Sequence, residues 1–307
     1  MTFTRPFLAL TALLLSSGAV AQTAPAPVQM PATPRAATIP ADPALWVVKD
    51  KDTTVYLFGT IHALKPHLGW FDSAVREAFD ASGQLILEIP LPDPATAQAV
   101  MLPLATDTSG VPLMQKLNAG DRAAYAAAMT KLGIPPAAVE KFEPWFVAVT
   151  LSQLALQKAG FSAADGAEAT LTAAATAAGK PIRGLETLQQ QLGYFHALSQ
   201  ADQIAFLVSS VQDIDKFDGM INAMLDRWKA GDAEGLSALM NEDLTSQPNL
   251  YRILLVERNK RWAAWISERM KKPGTVFIAV GAGHLAGRDS VQVQLAKRHL
   301  KAVRIRY

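Results

Sequence analysis

The sequence contains no cysteine. That absence removes thiol nucleophiles, thiolate metal sites and disulfides from the possible chemistry, and with them the modified cysteine of a lipoprotein. Patterned charge is also missing. Lys and Arg number 29 against 27 Asp and Glu, a net charge of +2 over 307 residues with the two signs interspersed. Nucleic acid binding needs a basic stripe or cluster, and none is present. Beyond the N-terminal run, no stretch approaches the roughly 20 apolar residues of a membrane-spanning helix. Serine-hydrolase elbows of the form Gly-x-Ser-x-Gly and P-loops do not occur. Gly281-Ala282-Gly283-His284 opens like a dinucleotide fingerprint but lacks the third glycine and lies close to the C-terminus.

Half of the residues are apolar, enough for a sizeable core in one large domain or two small ones. Residues 1–21 read as a secretory signal. Arg5 provides the positive start, Phe7 to Leu15 the apolar centre, and Ala19-Val20-Ala21 the small-residue cleavage site, with cleavage expected after Ala21. The expectation is a periplasmic or secreted chain with no stable membrane insertion once the signal is cut. Residues 22–44, rich in Pro, Ala and Thr, have the composition of an extended linker. The domain is expected to cover residues 45–307.

Leu45-Trp46-Val47-Val48, the charged turn at residues 49–52 and Val55-Tyr56-Leu57-Phe58 predict a β-hairpin. Apolar spacing at Phe71, Ala74, Val75, Ala78 and Phe79 predicts a helix, and Leu85-Ile86-Leu87 the next strand, together a βαβ unit. From about Ala95 to Leu239 the rhythm is helical, interrupted by an extended segment at Lys180–Thr187. A long amphipathic helix spans Arg252–Met270. The strand Val276–Val280, a helix near Asp289–His299 and a terminal strand at Val303–Arg306 complete the chain. The predicted class is α/β, or α+β: a central mixed β-sheet flanked by helices, with a large helical insertion.

Two strands end in the same grammar, Gly59-Thr60-Ile61-His62 and Gly281-Ala282-Gly283-His284. In α/β proteins, chemistry collects at the carboxyl ends of the strands. His62, Glu88, Glu186 and His284 all follow such ends, and a mainly parallel sheet brings them to one edge. Two imidazoles and a carboxylate can hold a divalent transition metal with a position open to water. Blander readings exist for each residue. A strand-end histidine is often a hydrogen-bonded turn residue, Glu88 could be an ion pair or cap, and Glu186 could be a helix-start carboxylate. Arg258 and Asn259 sit on a helix, where most such residues are solvated, and Asp165–Glu168 could be a capping turn. His67, His196 and His299 have no supporting pattern, and Trp145, Trp262 and Trp265 read as core.

In chain order, Phe58–His62, Leu87-Glu88, Gly184-Leu185-Glu186-Thr187 with Gln190, Glu257-Arg258-Asn259 and Val280–Leu285 resemble the TraB/GumN family, relatives of the Tiki proteases. The resemblance runs from Leu45 to Tyr307. It implies a fold like that of the erythromycin-esterase and ChaN-like hydrolases, and an exported, peptidase-like metallohydrolase. It further implies a metal held by His62, Glu88 and His284, manganese or cobalt by analogy, with zinc chemically possible. Glu186 is expected as a further ligand or a base beside the metal, Arg258 as a group that orients a carboxylate or stabilises an oxyanion, and a peptide or small molecule as substrate. The chain departs from the family in one motif. Gly166-Ala167-Glu168-Ala169-Thr170-Leu171 carries Glu where Gly-x-Asp-x-x-Leu is frequent, so Glu168 joins the candidates. Two rival readings stand beside this one: a metal-free esterase-type hydrolase in which a histidine is the general base, and a peptide- or ligand-binding protein without turnover.

Overall fold

The computed structural model describes residues 38–307 apart from Leu91, Asp213, Ser246 and the side chains of residues 242–245. The expected signal, and the linker as far as residue 37, lie outside the described residues. The described residues contain eight strands: β1 (Ile39–Pro40), β2 (Leu45–Lys49), β3 (Thr53–Thr60), β4 (Leu68–Gly69), β5 (Leu85–Leu87), β6 (Ile182–Gly184), β7 (Gly274–Gly281) and β8 (Val303–Ile305). Six of them form one mixed sheet in the order β6-β5-β7-β3-β2-β8, while β1 and β4 pair separately. Ile39–Pro40 therefore belongs to the fold, ahead of the Leu45 start read from composition. Ala41 and Ala44 are buried behind it.

The hairpin forms as expected, with Val48 opposite Val55 across β2 and β3. The βαβ expectation holds for its elements but not for their neighbours. Helix Ser73–Asp80 joins β3 to β5, yet β7 lies between these two strands and pairs in parallel with both. Sequence order does not reveal a strand inserted from the far end of the chain. β3, β7, β5 and β6 run parallel, so their carboxyl ends share one edge.

β7 is apolar throughout because both of its faces are covered. Phe277 and Ala279 face one core with Phe58, Leu85 and Leu87. Val276, Ile278 and Val280 face the other with Val55, Leu57, Trp262 and Ile266. The first core lies under the helical insertion, where Phe58, Trp70, Trp228 and Phe277 are in ring contact. Five helices separate β5 from β6: Pro94–Ala105, Leu113–Lys116, Ala119–Leu132, Pro144–Lys158 and Ala167–Ala177. Five more lie between β6 and Arg252: Leu188–His196, Gln200–Gln212, Phe217–Lys229, Ala233–Thr245 and Pro248–Tyr251. The second core is closed by helix Glu257–Arg269, which continues from a π-helical segment at Arg252–Val256, and by helix Val291–Ala296. Among the described residues no helix is long and apolar enough to cross a membrane.

Candidate functional site

The parallel register brings the two Gly-x-x-His endings together. Gly59 sits opposite Val280, and Thr60 opposite Gly281. Gly59 is needed here because a Cβ at that position would stand 3.2 Å from Ala282 Cα. On the other side of β7, Leu87 faces Ala279 and Gly184, which brings Glu88 and Glu186 to the same edge.

Glu88, His284 and His62 converge on the backbone of Gly281. Glu88 Oε1 accepts the Gly281 N–H at 2.7 Å. A Cβ at Gly281 would lie 3.1 Å from Glu88 Oε1, 3.7 Å from His62 Nε2 and 3.7 Å from His284 Cδ2. The absent side chain is thus what leaves room for a cradle with three chemical walls. Each imidazole is held from behind through Nδ1. His62 Nδ1 lies 2.6 Å from Glu168 Oε1, and His284 Nδ1 lies 2.6 Å from Asn259 Oδ1. Asn259 is anchored in turn by donating to the Asp289 carbonyl at 2.8 Å. The Trp262 ring lies over His284 at 4.4 Å.

Arg258 is fully buried and holds the carboxylates. Its Nη2 donates to Glu88 Oε2 at 2.6 Å and approaches Glu186 Oε2 at 2.9 Å. Its Nε donates to both oxygens of Glu186, and its Nη1 to the Leu254 carbonyl. Nη1 also lies 3.2 Å from His284 Nε2. All of its nitrogens face the interior, where they orient the two carboxylates. Glu186 also has both oxygens engaged. It stands on the far side of Arg258 and also accepts from Tyr194 Oη and Trp262 Nε1, each at 3.2 Å, which makes it an anchor for the arginine. Thr187 and Gln190 beside it form a capping box that starts helix Leu188–His196.

Burial and charge set the protonation states. Burial opposes the His62 imidazolium, but the charge and hydrogen bond of Glu168, aided by Glu88, more than reverse this and raise its pKa to about 9. For His284, burial and then Arg258 lower the pKa to about 3, so it is neutral at pH 7. Burial would raise Glu88, yet Arg258, both histidines and the Gly281 N–H hold it well below the ordinary carboxylate range. Solvent reaches only one end of the cluster. The His62 side chain is 21% exposed and Glu168 13%, whereas Glu88 and His284 are buried.

The profile of the TraB/PrgY/gumN family matches residues 44–304, a span containing every side chain of this site. The chain belongs to this family. An uncharacterized protein of Treponema pallidum (strain Nichols) is 24% identical over 274 residues, which cover 83% of this chain and 80% of the relative. No solved structure matches the chain.

Within this TraB/PrgY/gumN chain, the donor chemistry suits a divalent transition ion. Ligand histidines typically have the second ring nitrogen held by a carboxylate or carbonyl oxygen, as Glu168 and Asn259 do here. The spacing does not close a site: no three His, Asp or Glu groups among the described residues stand together closely enough to hold a metal. His284 Nε2 and Glu88 Oε1 are 3.8 Å apart, with the Arg258 guanidinium against both residues. Sequence reasoning undervalued Asn259, which is fully buried, and gave Glu168 little weight. The signal for the former is its place in the Glu257-Arg258-Asn259 motif, and for the latter the offset family motif. His67, His196 and His299 are exposed and stand outside the site. Trp262 is core as expected, and it is also a wall of the site.

Proposed function

We propose that this TraB/PrgY/gumN protein is a hydrolase, peptidase-like and metal-dependent, working at the Gly281 cradle. The convergence of His62, Glu88 and His284 on that glycine supports the reading. His62, Glu88 and His284 would hold the ion once drawn closer than they stand here, and when bound it supplies a Lewis acid and a nucleophilic water at neutral pH. The chain's own groups do the rest. Arg258 keeps Glu88 ionised and fixed, Asn259 holds His284 with Nε2 turned inward, and Glu168 does the same for His62. To hold an ion, His284 Nε2 would have to part from Arg258 Nη1, and His62 would have to lose its second proton. Metal affinity should therefore rise with pH until about 9.

Those same two obstacles support a second reading, a metal-free hydrolase in which protonated His62 is the general acid. Metal content separates the two. After manganese, cobalt or zinc loading, the wild-type chain should retain about one equivalent and His62→Ala and His284→Ala should lose it. Hydrolysis of a peptide library that vanishes with the metal completes the case. Activity that survives exhaustive chelation selects the metal-free version, and a chain that takes up no metal sinks the first reading.

A further inference from the structure

Glu168 enters the site through a contact that the strand-end grammar does not describe. Segment 162–168 is stapled to the loop after β3. Leu64 N–H donates to Ser162 O at 3.1 Å, Ser162 N–H to Leu64 O at 2.9 Å, and Ala167 N–H to Ile61 O at 3.1 Å. Gly166 permits the approach, because a Cβ there would fall 2.0 Å from the His62 carbonyl oxygen. Helix Ala167–Ala177 begins at that point, with Glu168 in its first turn. One carboxylate oxygen, Oε1, then serves two partners: His62 Nδ1 at 2.6 Å and Thr60 Oγ1, which donates at 2.5 Å. The other oxygen, Oε2, is buried without a hydrogen-bond partner. A carboxylate kept for helix capping or an ordinary ion pair has no reason to leave one oxygen dry while crowding the other. Thr60 is buried as well, so it can fix the rotation of Oε1 without competition from solvent.

We infer that Glu168, steadied by Thr60, is the positioning residue of His62: it keeps the proton on Nδ1 and aims Nε2 at the Gly281 cradle. The inference rests on the reading that His62 belongs to the reacting centre. The longer Glu arm matters, since shortening it by one methylene withdraws the acceptor from the ring.

The test uses the full-length chain labelled in its histidine rings, with the His62 signal assigned by its loss in His62→Ala. In the wild type the Nδ1 proton of His62 should resonate far downfield, as expected for a charge-assisted hydrogen bond. Glu168→Gln, which keeps an oxygen acceptor, should retain a hydrogen-bonded Nδ1 proton. Glu168→Ala and Glu168→Asp should lose it. Reading the Asp variant keeps the inference testable if the Ala variant does not fold. Titration with cobalt(II) alone should show affinity falling about 10–100-fold in Glu168→Ala and Glu168→Asp, with less loss in Glu168→Gln. A downfield signal that survives in Glu168→Ala or Glu168→Asp, or that is missing from the wild type, overturns the inference. If the wild type binds no cobalt, the metal reading fails by itself, and the proton signal still decides the role of Glu168.

Discussion

The two histidines follow the same sequence pattern and end in opposite electrostatic states. His62 is at the solvent end, backed by a carboxylate, with its pKa raised to about 9. His284 is buried, backed by a neutral amide and faced by a guanidinium, with its pKa lowered to about 3. Their backbone placement is nearly equivalent, since Thr60 and Gly281 are partners across the sheet. The contrast shows that a Gly-x-x-His ending sets where an imidazole stands, while partners from distant elements set what it can do. One ring is prepared to carry a proton and the other to offer a lone pair. Acid–base chemistry commonly begins from such a separation of neighbouring pKa values.

The comparison can be broken most severely at its shared partner. Arg258→Met leaves Glu88 and Glu186 buried without their cation, and unfolding in urea should show a loss of about 3–5 kcal/mol. A loss below about 1 kcal/mol would mean that the carboxylates are solvated or neutralised in another way. Next in size is the pH response of stability. A histidine whose pKa is raised on folding stabilises fully below its unfolded value, near 6.5, and that share disappears as pH rises through about 9. His284 acts in the opposite sense: its share is complete above about 6.5 and disappears as pH falls toward 3, with Glu88 adding to the same acid limb. Stability should therefore peak near neutrality and lose on the order of 2 kcal/mol between pH 6.5 and 9. Urea midpoints across pH should show the alkaline limb flattened in Glu168→Gln and the acid limb unchanged. Smallest, and most diagnostic, is Asn259→Asp, which gives His284 the kind of partner His62 has. Its ring titration, followed by NMR, should move up by about one unit or more. A value still near 3 would assign control of His284 to Arg258 alone.

Much of the site was legible because strand ends announce themselves locally. The runs before Gly59, Glu88 and Gly281 are apolar and β-forming, and each stops at a residue that suits a crevice. What escaped the sequence depends on contacts between distant segments. Nothing near Asn259 signals that His284 lies 2.6 Å away, and no pattern around Arg258 shows that Glu88 and Glu186 occupy it from two sides. The linker composition hid the pairing of Ile39–Pro40 with Leu68–Gly69, because proline reads as a linker residue although an edge strand tolerates it. The helical insertion was visible as rhythm. Its delivery of Glu168 to His62 was not, because that relies on Gly166 fitting against one carbonyl.

The central position of β7 also has a consequence for how the chain folds. Its parallel partners β3 and β5 are synthesised near the start, whereas β7 comes more than two hundred residues after β3. Until Gly274–Gly281 has emerged, the sheet has a gap in its middle, with two apolar strand edges waiting for the same late arrival. Contacts that distant in sequence make folding slow and leave the early strands prone to aggregation. A chain cut short before β7 would lose the strand that joins the halves of the sheet, so nearly the whole polypeptide must be present before those halves can meet.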